Sequence, residues 1–438
     1  MGHLAGKDVY RRLGKKIDGL QTRSPWTPAL RAILKELYSE EEAALIVALP
    51  YAPATLDRIA AVTGQERSGL ERTLEALCQK GLVIDIWSAE TSTKKYVASP
   101  MMSGIFEFAM MRTSTDEELR KRARLFHDYL ASGAFYAANM GDGQEVFIGR
   151  ALPHEDTLLP SSHAEILDYE RAATIIEQND RYSIGICACR HEKLHAGQKS
   201  CDTPLSTCTS FGTAADYLIR HDFARPATRE ELLENLARAR ELGLVLNADN
   251  VQHNLTFLCH CCGCCCNMLL GITRHGYTGT IASSNYVARA DPVECKGCGN
   301  CQKACPVDCI ELSSPRPDAP KRLRRPSVDE TRCLGCGVCA TRCPTGAMRL
   351  APRERRVFHP SNTFERVILQ SLERGTLQNL IFDNPQSQSQ GFMRALVGGF
   401  LRLTPVKQAL MSRALRSTFL AWLSGTARRR GHEDITRM

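Results

Sequence analysis

Apolar positions along the chain follow a helical period first and an alternating one later, with short punctuated segments between. Residues 1–38 mix basic and apolar positions around Pro25 and Pro28, which predicts a helical lead. Ser39 followed by Glu40, Glu41 and Glu42 is a capping-box start for a helix reaching Leu49, ended by Pro50 and Pro53. Thr55 caps a second short helix, Leu56–Val62, which Gly64 stops. Leu70, Leu74 and Leu77 share one face of a third, from about Ser68 to Lys80, with Gly81 as its stop. Leu82–Trp87 and Lys95–Ala98 then read as two short strands.

Residues 101–180 read as a helical connector in which Met101, Met102, Met110 and Met111 are core positions. Tyr182–Ile186 alternates into a strand that delivers Cys187. Thr228 and Glu231 form another capping box, opening a helix that ends near Gly243, and Leu255–Leu258 is a short apolar strand. The expected class is α+β. The expected divisions are a lead over 1–38, a domain over 39–100, the connector over 101–180, a cysteine-rich domain over 181–285, a further domain over 286–352, and a linker with a basic segment over 353–438. The three helices and hairpin of 39–100 resemble a winged helix-turn-helix.

Composition changes the picture at one point. Hydrophobic residues make up 43% and charged residues 24%, ordinary for a globular chain. No run of eighteen uncharged apolar residues predicts a membrane span, and Met1–Tyr10 has no apolar signal region. The 20 cysteines are abnormal: all but Cys78 lie between Cys187 and Cys343. Secreted disulfide scaffolds are short chains with cysteine throughout, so metal or iron–sulfur ligation in a reducing, cytoplasmic compartment is the better reading.

The strongest signal is an internal repeat. Cys295, Cys298, Cys301 and Cys305 follow C-x2-C-x2-C-x3-C before Pro306, and Cys333, Cys336, Cys339 and Cys343 repeat the spacing before Pro344. Gly297 and Gly299 recur as Gly335 and Gly337. Three thiolates on one tight loop cap three irons of a cubane, and glycines let the loop wrap it with N–H groups facing sulfide. The fourth cysteine ligates the other cluster. The expected sets are therefore Cys295, Cys298, Cys301 and Cys343 for one [4Fe–4S] cluster, and Cys333, Cys336, Cys339 and Cys305 for the second. Zinc knuckles have no use for the paired pattern. Cys309 has no counterpart, since Ala347 occupies its place in the repeat, and is expected to pack beside a cluster. The stretch Ser314–Pro326 lengthens the link between halves and reads as a surface loop or a partner-docking loop.

Two further cysteine groups stay open. Cys187, Cys189, Cys201 and Cys208 could hold a cubane, a zinc ion or no metal, with Arg190 offsetting thiolate charge and His191 and His195 as further candidates. Cys259, Cys261, Cys262, Cys264, Cys265 and Cys266 cannot all serve one four-ligand site, because neighbours on an extended strand face opposite ways. They contribute to another cluster, or to the Cys187 group, or are buried thiols of a strand-to-helix turn.

Residues from about Ala288 to Leu350 resemble bacterial dicluster ferredoxins. The order CACR, then CHCCGCCC, then the two ferredoxin motifs resembles a group of multidomain ferredoxin-type proteins with a winged-helix-like N-terminal part, over residues 8–350. The resemblance implies a cytoplasmic iron–sulfur protein and supplies no substrate.

Three functions follow as expectations. The first is an electron-transfer protein with two [4Fe–4S] clusters and a further metal centre, serving a redox protein partner. The second is a redox-sensing DNA-binding regulator, although the third helix balances Glu66, Glu71 and Glu75 against Arg67, Arg72 and Lys80, and DNA affinity needs positive charge. The third is a reductase with its site around Cys187 and Cys259. No dinucleotide fingerprint or P-loop occurs.

The net charge of +8 is localised: residues 391–430 hold eight basic and no acidic residues, leaving 1–390 near +1. With Phe392, Leu396, Phe400 and Trp422 among them, this segment reads as amphipathic helices divided by Pro405. They would lie on an anionic membrane face or on an acidic partner, or pack on the protein's own core. Gln386–Gln390 reads as a polar linker before it. Two or three oxidised cubanes of roughly −2 each would lower the charge to about +4 or +2.

Overall fold

The structure is a computed structural model that describes residues 8–88, 92–113, 115–159, 166–314, 320, 323–429 and 433–436. Most of the 314–326 link therefore lies outside the described residues.

The N-terminal part follows local chemistry closely. Helices α1 (Val9–Asp18) and α2 (Pro28–Leu37) lead into α3 (Glu40–Ala48), where Ser39 and Glu42 form the reciprocal capping box. Strand β1 (Ala54–Thr55), helices α4 (Leu56–Thr63) and α5 (Arg67–Gln79), and strands β2 (Val83–Ser88) and β3 (Thr93–Ala98) follow. The three strands form an antiparallel sheet in the order β1-β3-β2. Leu70, Leu74 and Leu77 are buried together, as their spacing predicts.

Residues 101–180 are not uniformly helical. Helices α6 (Phe106–Met111), α7 (Asp116–Ala131) and α8 (Ala134–Met140) give way to strand β4 (Gly149–Leu152) and a short helix α9 (Ala172–Glu177). All four residues of β4 are buried, so no alternation marks it in the sequence. The four methionines at 101, 102, 110 and 111 are core residues.

Beyond position 181 come β5 (Tyr182–Ile186), α10 (Ala188–His195), β6 (Ser206–Phe211), α11 (Gly212–Arg220), β7 (Ala224–Pro226), α12 (Arg229–Leu242), β8 (Val245–Asp249), β9 (Phe257–Cys261) and α13 (Asn267–Thr273). Six strands make one antiparallel sheet, β4-β8-β9-β6-β5-β7. Because β4 pairs with β8, the expected division at 180 runs through this sheet.

The N-terminal hairpin docks on this unit. Asp85 of β2 accepts from Arg220 at 2.7 Å and lies 3.2 Å from His221 Nε2 and 3.0 Å from Lys94. Burial raises its carboxyl, but hydrogen bonds from His221, Lys94 and Arg220 outweigh burial and hold it well below the usual carboxylate range.

Residues 286–352 contain β10 (Tyr286–Ala290), α14 (Asn300–Ala304), β11 (Ile310–Ser313), β12 (Arg325–Val328), α15 (Val338–Thr341) and β13 (Met348–Pro352). Strand β10 pairs with β13 and β11 with β12, both antiparallel. Backbone bonds tie the unit to the chain before it: His154 N–H donates to Cys336 O at 3.0 Å and Ser284 N–H to Leu334 O at 2.9 Å.

The C-terminal part is helical: α16 (Thr363–Glu373), α17 (Leu377–Ile381), α18 (Gln388–Leu401), α19 (Thr404–Met411), α20 (Arg413–Arg429) and α21 (Glu433–Thr436). The basic segment thus forms three main helices where two were expected. Pro405 lies in the first turn of α19, where its missing N–H costs nothing. The expected linker 386–390 instead includes the start of α18, capped by Ser387.

Candidate metal centres

The two cysteine repeats fold into matching loops around two cavities. Gly297, Gly299, Gly335 and Gly337 have φ of 63°, 83°, 65° and 84°, the left-handed values glycine adopts without penalty. Each loop can then turn sharply and enter a short helix, α14 or α15. One cavity is lined by Cys295, Cys298, Cys301 and Cys343. The other is lined by Cys333, Cys336, Cys339 and Cys305, with Cys309 beside them. Each cavity thus takes three cysteines from one repeat and the fourth from the other.

The two cavities differ in exposure and in the donors around the fourth cysteine. Cys298 is exposed, whereas Cys305, Cys333, Cys336 and Cys339 are all buried. Cys343 Sγ accepts from the Met348 N–H at 3.4 Å and lies 3.6 Å from Thr345 Oγ1. Cys305 Sγ accepts from the Cys309 N–H at 3.4 Å and lies 3.4 Å from Cys309 Sγ. The Cys309 thiol lowers the pKa of the Cys305 and Cys333 thiols, and its own is raised by them. Four thiols around each cavity, with N–H groups directed at sulfur, fit a [4Fe–4S] cluster in donor type and number.

The ten cysteines from Cys187 to Cys266 are brought together by the six-stranded sheet and two helix starts. A bulge between Gly185 and Ile186 precedes Cys187, which caps α10. Cys266 caps α13. The Thr209–Leu258 pair sets Cys208 of β6 next to Cys259 of β9. Cys259 and Cys261 lie two apart on β9 and share a face, while His260 between them turns its Nδ1 to Thr207 O at 2.7 Å.

The expected foursome Cys187, Cys189, Cys201 and Cys208 is divided. Cys208 neighbours Cys259 across the sheet, and Cys259, Cys261, Cys266 and Cys189 influence one another's thiols in series, with Cys187 alongside. Cys201 instead joins Cys262, Cys264 and Cys265, the four Sγ atoms lying within 4.8 Å of one another. Burial pushes the Cys187 thiol up to about 11. Cys262 is lowered by its contact with Cys265 and by Arg190.

His191 and His195 face each other, Nε2 to Nε2 at 3.0 Å, and His191 Nδ1 lies 2.6 Å from Met110 O, so neither joins the thiols. Sequence spacing also missed a buried network beside Cys266. Glu192 pairs with Lys193 at 2.6 Å and with His127 at 3.1 Å, and Lys193 donates to Asn267 at 2.9 Å.

The cysteine run touches the unit of residues 286–352. Gly263 packs so closely on Pro306, the residue after Cys305, that a Cβ there would stand 3.2 Å from the Pro306 carbonyl oxygen. Cys261 and Cys266 share one apolar core with Cys305, Cys309, Cys333, Cys336 and Cys339.

No curated protein and no solved structure matches the chain. Residues 294–347 match the family described as 4Fe-4S dicluster domain, a segment that covers both repeats and both cavities. That match and the cysteine clusters support an iron–sulfur protein of electron-transfer type.

Proposed function

We propose that the protein carries electrons through two [4Fe–4S] clusters, held by Cys295, Cys298, Cys301 and Cys343 and by Cys333, Cys336, Cys339 and Cys305, toward a further metal centre in the 181–285 region. The observation that carries this reading is the crosswise lining of the two cavities. Such clusters exchange single electrons at potentials set by burial and by hydrogen bonds to sulfur. The cavity with exposed Cys298 is the one a redox protein partner can reach. The buried cavity shares its apolar core with Cys261 and Cys266, which gives a direction, surface to interior. Protein purified without oxygen should contain about eight irons with matching sulfide, and more if the further centre is also a cluster. Zinc in place of iron would contradict the reading.

The DNA-binding alternative gains nothing from the surface of α5, where exposed Arg67 and Arg72 stand beside exposed Glu71. The hairpin that follows is occupied against α11 through Asp85. This favours the 39–100 domain as a protein-contact module.

A peripheral site on an anionic membrane face is favoured by a separate observation. Phe392, Leu396 and Phe400 repeat every four residues on one face of α18 and are 58–68% exposed. The other side of α18 is already packed, through Val397 and Leu401, against α16, α17 and α20. No acidic residue occurs in 391–430 to repel anionic headgroups. Among the described residues no helix is long and apolar enough to cross a membrane.

A further inference from the structure

Ten cysteines lie between Cys187 and Cys266, and distance sorts them into two kinds. Six, Cys187, Cys189, Cys208, Cys259, Cys261 and Cys266, form no set of three or more Sγ atoms within 4.8 Å of one another among the described residues. The other four close on one another: Cys201 Sγ is 3.7 Å from Cys262 Sγ and 3.9 Å from Cys265 Sγ, and Cys264 Sγ is 3.4 Å from Cys265 Sγ.

That spacing discriminates between kinds of metal centre. Four thiolates on one tetrahedral ion, each at about 2.3 Å from it, stand about 3.8 Å from one another. A cubane puts four irons between its thiolates and spreads them further apart. The eight cysteines of the dicluster segment form no such compact set among the described residues, whereas Cys201, Cys262, Cys264 and Cys265 do.

A second observation points to negative charge at the same place. Arg190 is fully buried. Its Nε lies 3.5 Å from Cys262 Sγ, and its remaining donors go to Pro204 O, Thr207 Oγ1 and His260 O. None of these partners is a carboxylate. A guanidinium cannot shed its charge, and a buried charge is costly without an opposite one. Cys262 of the four-cysteine cluster touches the guanidinium directly, and Cys187 and Cys261 also act on it.

We infer that Cys201, Cys262, Cys264 and Cys265 bind a single tetrahedral divalent ion of thiophilic character, zinc or ferrous iron, without sulfide, and that Arg190 is its buried counterion. Binding displaces the thiol protons to solvent and leaves a tetrathiolate site of net charge −2, which Arg190 halves. The ion would fasten the loop carrying Cys201 to the turn between β9 and α13. The inference adds a metal site beside the electron path proposed above, since zinc takes no electrons, and does not depend on the two clusters.

The test is metal and acid-labile sulfide analysis of the full-length protein purified without oxygen, together with Cys201→Ser and Cys265→Ser. The wild type should hold one zinc, or one iron in excess of sulfide, and elemental analysis separates these two. Each variant should lose that one equivalent while sulfide content and the electron paramagnetic resonance signals of reduced cubanes stay unchanged. X-ray absorption at the edge of that metal, on the wild type alone, should give four sulfur ligands at about 2.3 Å. Loss of about four irons with their sulfide, retention of all metal in both variants, or an edge with fewer than four sulfurs would overturn the inference. Failure of the two-cluster reading is separate, since it would appear as missing sulfide in the wild type.

Discussion

Arg190 Nε lies 3.5 Å from Cys262 Sγ in a fully buried setting, a cation and a thiol with no carboxylate between them. Removing the charge should leave thiolate charge unopposed. Arg190→Met is expected to lower stability by about 3–5 kcal/mol, the usual cost of breaking a buried ionic pair. The variant should also lose the single sulfide-free metal. Thermal unfolding and metal analysis on the same preparation check both.

The crosswise lining makes a pairing prediction that linear order would not. Cys343→Ser and Cys298→Ser should weaken the same cluster signal, and Cys305→Ser and Cys336→Ser the other. Redox titration monitored by electron paramagnetic resonance resolves the two. Pairing of Cys305 with Cys298 instead would show that each repeat closes its own cluster.

Cys309 distinguishes the two cavities chemically. Its thiol and its N–H both lie 3.4 Å from Cys305 Sγ, and the repeat has Ala347 in its place. Fewer donors to a ligating sulfur make a cluster harder to reduce. Cys309→Ala should shift the potential of the cluster at Cys305 downward and leave the one at Cys343 unchanged.

Asp85 supplies a pH signature. Its folded value lies below the unfolded one of about 3.9, so its stabilising contribution is complete above that range. The contribution is lost as pH falls through the depressed folded value. Asp85→Asn should therefore destabilise the protein at neutral pH, by roughly 3 kcal/mol. The gap to wild type should narrow as the medium is acidified below about pH 4. Denaturant midpoints across pH measure this.

The exposed face of α18 predicts vesicle binding. Phe392→Asp with Phe400→Asp should abolish co-sedimentation with vesicles rich in anionic lipid and leave cluster signals intact. High salt should weaken wild-type binding as well.

Local chemistry made much of this fold readable in advance. The capping boxes at Ser39 and Thr228 and the strand Tyr182–Ile186 lie where side chains near them in sequence dictate. The repeat spacing pointed to both four-cysteine sets, because ligands on one loop obey loop geometry. Strand β4 was hidden because every residue in it is buried. The partnership of Cys201 with Cys262 was hidden for a different reason: 61 residues and two sheet strands separate them, and only the folded sheet decides which thiol meets which.

The most direct test of the central claim is iron, sulfide and zinc content per chain in protein purified without oxygen, read with the low-temperature resonance spectrum after reduction. At least eight irons with eight sulfides and the signals of two reducible cubanes are expected. Zinc filling the sites of residues 295–343, or iron and sulfide sufficient for only one cubane, would contradict it.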